Sequence, residues 1–331
     1  MSPTLPATGF GLLGMTWRPQ VTPDSQAFAA MRAAVANGAT VWSTSSAYGL
    51  PPNPPTAGLL LLRRYFDAYP EDALNVTLFV RGCYDAASHS PVTSRADVLA
   101  SFEECQAAVG PVKKIDVFGP ARMDRRNVPV EETIGAVKEL IDQGRVAAAG
   151  LSEVSADTIR AASKICPIAM VEIEFSLWST EMLDNGVAAA CKENNVAILA
   201  YAPLGYGFLT GKVTKLEDIP EGDLRHMLGR FQPDTFPLNL KLVEKVKEFA
   251  ARKGATPAQL ALAWVRAHSN VGECGVVIPI PGATAADRVK ENCKVVELTT
   301  AEKAELDDML KSITVVGARQ IPGMEGKHLW T

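Results

Sequence analysis

Long hydrophobic runs are missing from this chain of 331 residues. The longest uncharged, mainly apolar stretch, Val196 to Leu209, is too short to cross a bilayer and is broken by Pro203, Gly205 and Gly207. Met1 to Pro6 has neither a charged start nor an apolar core, so no secretory signal is read there and a cytoplasmic location is expected. Basic runs are missing too. With 33 Lys and Arg against 37 Asp and Glu, the net charge of -4 argues against a nucleic-acid surface. Histidine is scarce, and His89, His226, His268 and His328 stand apart without metal-ligand spacing, so no metal is expected. Cys83, Cys105, Cys166, Cys191, Cys274 and Cys293 form no C-x-x-C pair and read as buried free thiols of a reducing compartment. No G-x-G-x-x-G follows any strand-like run, which weakens a Rossmann reading.

What is present is an alternation. Hydrophobic residues at 47% and charged residues at 21% can build a large core. The length would allow two domains, but single α/β barrels run this long, and residues 1–331 are read as one domain. Strand-like runs fall at Gly9 to Met15, Thr40 to Ser43, Val76 to Val80, Ile115 to Phe118, Val146 to Leu151, Ile168 to Ile173, Val196 to Tyr201 and Val276 to Ile280. Helical patterns separate them. Thr22-Pro23-Asp24 reads as an N-cap with proline at N1, opening a helix that stops at Gly38. Further helices are expected near Leu59 to Ala68, Arg95 to Val109, Val130 to Gln143, Ala156 to Lys164 and Met182 to Asn194. After an irregular segment from Gly205 to Pro237, four more follow near Leu238 to Lys253, Pro257 to Ala267, Ala285 to Asn292 and Thr300 to Leu310. Eight strands apolar on both faces, separated by amphipathic helices, favour a (β/α)8 TIM barrel over a doubly wound sheet.

In such a barrel the chemistry collects at the carboxyl ends of the strands. The polar and aromatic residues at those ends are Tyr48, Arg81, Ser152, Glu153, Glu172 and Tyr201, with Ala121 after the fourth strand. Trp17 offers an aromatic wall, and Cys83, next to the third strand end, is expected to line the pocket.

Four segments carry a family likeness: Gly150-Leu151-Ser152, Glu174-Phe175-Ser176-Leu177-Trp178-Ser179, Tyr201-Ala202-Pro203-Leu204-Gly205 and Leu209-Thr210-Gly211-Lys212. With Val41 to Gly49 they resemble the aldo-keto reductase family. Met15 to Pro19, Gly150 to Ser155 and Ala121 to Asp124 resemble its pyridoxal reductase branch. The resemblance implies reduction of an aldehyde or ketone by NADPH, with a tyrosine as proton donor and an aspartate, lysine and histidine around it. It places the acid at Tyr48, the aspartate position at Ser43, the lysine position at Arg81 and the histidine position at Ala121. Arginine keeps a cation beside the tyrosine but closes any relay through a neutral lysine, and Ser43 supplies no countercharge. The Arg81 cation is expected to pair instead with Glu172, Glu153 or a substrate carboxylate.

For NADP(H), the resemblance implies Tyr201 stacked on the nicotinamide, Ser152 holding its carboxamide, Glu172 at a cofactor-binding position where many relatives have an amide (as they do at Glu153), and Ala202, Leu204, Gly205 and Leu209 around the pyrophosphate. Gly282, Arg288 and Asn292 fall at the adenosine end, with Arg288 the clamp on a 2′-phosphate. The basic residue many relatives carry near Gly282 to Thr284 is missing, so NADPH preference is expected to be weaker than usual. Because the aspartate, lysine and histidine positions are all altered, a non-redox dehydratase, isomerase or cyclase on the same barrel is the alternative. The expected partner is a small carbonyl compound, not a nucleic acid or a membrane.

Overall fold

Each strand of the main sheet is followed by a crossover segment, so neighbouring strands must pair in parallel. The computed structural model, which describes residues 5–322 and 329–331, has that arrangement. Strands β1 (Phe10–Gly11), β2 (Val41–Ser45), β3 (Thr77–Gly82), β4 (Val117–Pro120), β5 (Ala148–Ser152), β6 (Ile168–Glu174), β7 (Ala197–Tyr201) and β8 (Val277–Pro279) pair in chain order. The seam between β8 and β1 closes the barrel. There the Gly9 N–H donates to the Pro279 carbonyl at 2.9 Å and the Gly11 N–H to that of Pro281 at 3.4 Å. Both prolines lack an N–H, so along this seam β8 serves as acceptor.

Side chains from most strands fill the barrel interior: Val41, Phe79, Val117, Met170, Ala197, Leu199, Ile278 and Ile280 form their own cluster. Packing there is tight enough to dictate a glycine. A Cβ on Gly150 would lie 2.4 Å from the Phe79 ring, closer than any real contact. A larger core lies between the strands and the helices.

Those helices are α1 (Asp24–Ala36), α2 (Ala57–Ala68), α3 (Arg95–Val109), α4 (Val130–Asp142), α5 (Ala156–Ser163), α6 (Val187–Glu193), α7 (Phe236–Lys253), α8 (Pro257–Arg266), α9 (Ala286–Cys293) and α10 (Thr300–Lys311). Capping boxes start α3 at Ser94 with Asp97, α8 at Thr256 with Gln259 and α10 at Thr299 with Glu302.

Three sequence expectations needed correction. The apolar run from Gly9 to Met15 is a strand only at Phe10–Gly11. Cβ atoms on Gly9 and Gly11 would meet the Val41 and Ile280 carbonyls at 2.6 and 2.7 Å, and Leu13–Thr16 then coils into a helical turn. Thr22 does not cap α1. Extended Pro23 occupies the cap position, and the Thr22 hydroxyl is buried without a partner. The helix expected from Met182 to Asn194 is divided into a turn at Glu181–Leu183 and α6, because Gly186 stands in the left-handed region at φ 82°.

Candidate active site

The carboxyl ends of the strands open into a cavity of about 890 Å³ that runs from Trp17, Ser43 and Tyr48 past Tyr201 to Arg288 and Asn292. Tyr48 follows β2 in a loop held close to α2. A Cβ on Gly49 would overlap the Pro54 carbonyl oxygen at 1.8 Å, and the Thr16 hydroxyl donates to the Tyr48 carbonyl at 2.6 Å. The tyrosine hydroxyl is therefore delivered to one spot on the cavity floor.

At that spot the Arg81 guanidinium, from the end of β3, donates a hydrogen bond to the Tyr48 hydroxyl. Its other terminal nitrogen pairs with Glu172 of β6 at 3.1 Å, and the Ser43 hydroxyl of β2 donates to the second Glu172 oxygen. Ser43, Arg81 and Glu172 are all buried. Of the partners open to Arg81 on sequence grounds, Glu172 is the one the fold supplies. Burial pushes the Tyr48 phenol up, as does nearby Glu172, against the opposing pull of Arg81 and Arg122, and the net direction is upward. Burial works against the Arg81 charge, but Glu172 and Tyr48 outweigh it and hold its pKa above the ordinary guanidinium value.

A second buried group of charges stands beside the first. Arg319, far along the chain, forks onto Glu153 at 2.8 Å and reaches Glu174 at 3.1 Å. The same guanidinium lies 3.5 Å from the Tyr201 hydroxyl and 4.9 Å from the centre of the Trp330 ring. Arg230 donates to Ser179, whose hydroxyl donates to Glu174. Sequence reasoning missed Arg319, Arg230 and Arg122. Arg122 donates to the Ala121 carbonyl at 2.6 Å and to the Ser152 hydroxyl at 3.2 Å, and it is a charge acting on Tyr48. Its place directly after the altered histidine position was the one available signal.

Among the residues expected around a cofactor, Glu172, Tyr201, Ala202, Leu204, Gly282, Arg288 and Asn292 line the cavity, as does Trp17 of the substrate group. Ser152 is buried beneath Arg122, while Gly205 and Leu209 are buried behind the loop rather than on the cavity wall. Ala121 is nearly buried and lies off the cavity lining. Cys83 is a correction. Phe79 fills the barrel interior and Arg81 points into the mouth, so alternation would aim Cys83 inward as well. Its backbone is left-handed, at φ 58°, and the thiol is buried next to Ser101 and Cys105 of α3. Burial pushes its pKa well up, which removes thiolate chemistry there.

Left-handed backbone recurs around the mouth. Cys83 after β3, Glu153 after β5 (φ 52°) and Ala202 after β7 (φ 46°) all adopt it without being glycine. Among the described residues no group of three potential metal ligands comes together; His328 lies outside them. No described helix is long and apolar enough to cross a membrane.

A family model described as the aldo/keto reductase family matches residues 7–311. The chain belongs to that family. This aldo-keto reductase is 36% identical over 318 residues to a "Probable pyridoxal reductase 2" of Schizosaccharomyces pombe, covering 94% of this chain and 93% of that protein. It is 34% identical to a "Putative pyridoxal reductase" of Saccharomyces cerevisiae, covering 94% of this chain and 95% of the other. A Schizosaccharomyces pombe aldo-keto reductase whose name includes NADP(+) is 32% identical over 330 residues, 98% of this chain and 94% of its own. Among solved structures, a glycerol dehydrogenase from Gluconobacter oxydans superposes with a TM-score of 0.79 at 19% identity, over 96% of this chain and 94% of that one. The (β/α)8 barrel expected from the alternation is therefore the fold, and this aldo-keto reductase is an oxidoreductase.

Proposed function

We propose that this enzyme reduces the carbonyl of a small molecule with NADPH, and that Tyr48 is the proton donor. The observation that carries the reading is the Tyr48 hydroxyl held by the Arg81 guanidinium on the floor of an elongated cavity. A cofactor fits that cavity. Tyr201 offers a ring as one wall, and the half-exposed Arg288 offers a cation at the far end. In this reading Tyr201, Glu172, Ala202, Leu204, Gly282, Arg288 and Asn292 hold NADP(H), and Trp17 faces the substrate. The names of the two yeast relatives support a pyridoxal-like ring aldehyde as the substrate.

The chemistry a bound reduced nicotinamide supplies is a hydride at the carbonyl carbon. The chain handles the proton. With its pKa raised, Tyr48 stays protonated at neutral pH and donates to the carbonyl oxygen as the alcohol forms. The O–H bond of Tyr48 breaks as that of the product forms. Arg81 then faces a phenolate and stabilises it by charge. Because Arg81 is held in its charged form, the proton that restores Tyr48 arrives from water in the cavity and not through the guanidinium.

Removing the hydroxyl while keeping the ring tests this directly. Tyr48→Phe should slow aldehyde reduction by about 10²–10⁴-fold, the range of positioned acid catalysis. A rate unchanged in the variant removes Tyr48 from the mechanism. If no carbonyl in a panel including pyridoxal is reduced by the native enzyme with NADPH, the reductase reading itself fails and the non-redox alternative takes its place.

A further inference from the structure

Position 43 holds serine where the family resemblance places a carboxylate, yet the cation at position 81 is not left without one. Glu172 stands on β6 and Ser43 on β2, four strands apart in a barrel of eight. The Glu172 side chain therefore crosses the mouth to reach its partners. One of its oxygens meets Arg81 at 3.1 Å, and the other accepts from the Ser43 hydroxyl. Both carboxylate oxygens are thus engaged, and one of the partners, Arg81, is the group that meets the Tyr48 hydroxyl.

We propose that Glu172 is the positioning residue that holds the Arg81 guanidinium on the Tyr48 hydroxyl, supplying from across the barrel the countercharge that Ser43 does not carry. The inference rests on the reading of Tyr48 as the proton donor. Ser43 has a defined part in it. A short hydroxyl leaves room for the longer glutamate to reach in, and its hydrogen bond fixes the free oxygen of that glutamate. An aspartate at position 43 would compete for Arg81 and repel Glu172.

The charged and titratable groups acting on Tyr48 are Arg81, Glu172 and Arg122, and Tyr201 also acts on Arg81. Glu172 raises the phenol and the two arginines lower it. Taking away the Glu172 charge leaves the arginines unopposed, so the phenol must become more acidic. The rate of reduction depends on protonated Tyr48, so its alkaline limb must move to lower pH.

The test uses Glu172→Gln, Ser43→Asp with Glu172→Gln, and Glu172→Asp. The pH dependence of kcat for reduction of a carbonyl is measured for each. In parallel, tyrosinate absorbance is titrated as the difference from the same protein carrying Tyr48→Phe, which needs no turnover. Glu172→Gln should move the Tyr48 transition down by about one pH unit or more, the size expected when a neighbouring buried charge is lost. The double variant should move it back, because a carboxylate has been returned on the other side of Arg81. Glu172→Asp, one methylene shorter, should fall between. A kcat loss in Glu172→Gln with an unmoved transition would overturn the proposal, since a merely structural role gives that result. A moved transition that Ser43→Asp does not reverse would overturn it as well. Should Glu172→Gln fail to fold, the other two variants still decide: an unmoved transition in Glu172→Asp, or a double variant whose transition stays well below the native one, overturns it. A moved and restored tyrosinate transition in a protein that reduces no carbonyl would support the positioning role and overturn the reductase reading.

Discussion

Replacing Arg319 by alanine removes the one cation among the described residues that touches both Glu153 and Glu174. The three side chains are nearly inaccessible, at 7%, 0% and 2%. Breaking a buried pair from one side leaves an uncompensated charge and typically costs about 3–5 kcal/mol. For 331 residues at roughly 2.1 cal/mol/K each, the unfolding entropy is about 0.7 kcal/mol/K, so Tm should fall by about 4–7 °C near neutral pH. The loss should depend on pH with a definite sign. In the native chain burial works against the Glu153 carboxylate, but Arg319 outweighs it and holds the group below the usual range. That stability is present above the unfolded carboxylate value, about 4.3, and is lost as pH falls through the lower folded value. Without Arg319 both glutamates are buried carboxylates with raised folded pKa values, so the variant gains stability by taking up protons as pH falls. The difference in Tm should shrink steadily from pH 8 toward about pH 5. Differential scanning calorimetry across that range checks it. A difference below about 2 °C, or one that stays constant with pH, would refute the reasoning.

Two further outcomes are expected. Arg288 pairs with Glu291 at 2.8 Å, and both line the cavity, so a carboxylate stands where a 2′-phosphate would seek the cation. Glu291→Gln should tighten NADPH several-fold with little change for NADH, and Arg288→Ala should weaken NADPH far more than NADH; equal effects on both cofactors in fluorescence titrations would show that neither side chain meets the phosphate. Burial pushes the Cys166 thiol up to about 11 and the Cys105 and Cys191 thiols up to about 12, and Cys83 is higher still. At pH 8 a thiol reagent should therefore label Cys293 first in the folded protein, because it alone of the six is partly exposed although burial raises its thiol too, with the others following only on unfolding; rapid native labelling of Cys83 or Cys105, mapped by mass spectrometry, would contradict this.

The barrel was legible in the sequence because its strands are apolar on both faces and regularly spaced, and apart from the first strand and the helix divided at Gly186 its elements begin and end within a few residues of expectation. The floor of the site was legible for the same reason. Tyr48, Arg81 and Glu172 all stand at or just after strand ends, where any parallel barrel gathers its polar groups. Legibility failed where backbone geometry departs from the repeat. Cys83 would point inward by alternation, but one left-handed residue turned it toward α3. It failed again where partners are remote. Arg319 meets Glu153 and Glu174 across 166 and 145 positions, and nothing local to Arg319 foretells that meeting. Pairing Arg81 with Glu172 rather than Glu153 was left open because both carboxylates stand near strand ends at the mouth; the other is claimed by Arg319.

The left-handed residues that close β3, β5 and β7 limit how this protein could be diversified in the laboratory. A non-glycine residue in that conformation gives up about 1–2 kcal/mol, and a β-branched one more. A library that randomises positions 83, 153 and 202 as if they were ordinary lining positions would lose its Val, Ile and Thr members to misfolding before any were screened. Leaving Glu153 and Cys83 as they are, since both are fully buried and Glu153 holds Arg319, limiting position 202 to Gly, Asn, Asp and Ala, and spending diversity instead on Trp17 and Leu204 would keep most clones folded. The loop directions at the mouth are fixed by main-chain geometry, so new substrate preferences are more accessible through side chains than through re-aimed loops.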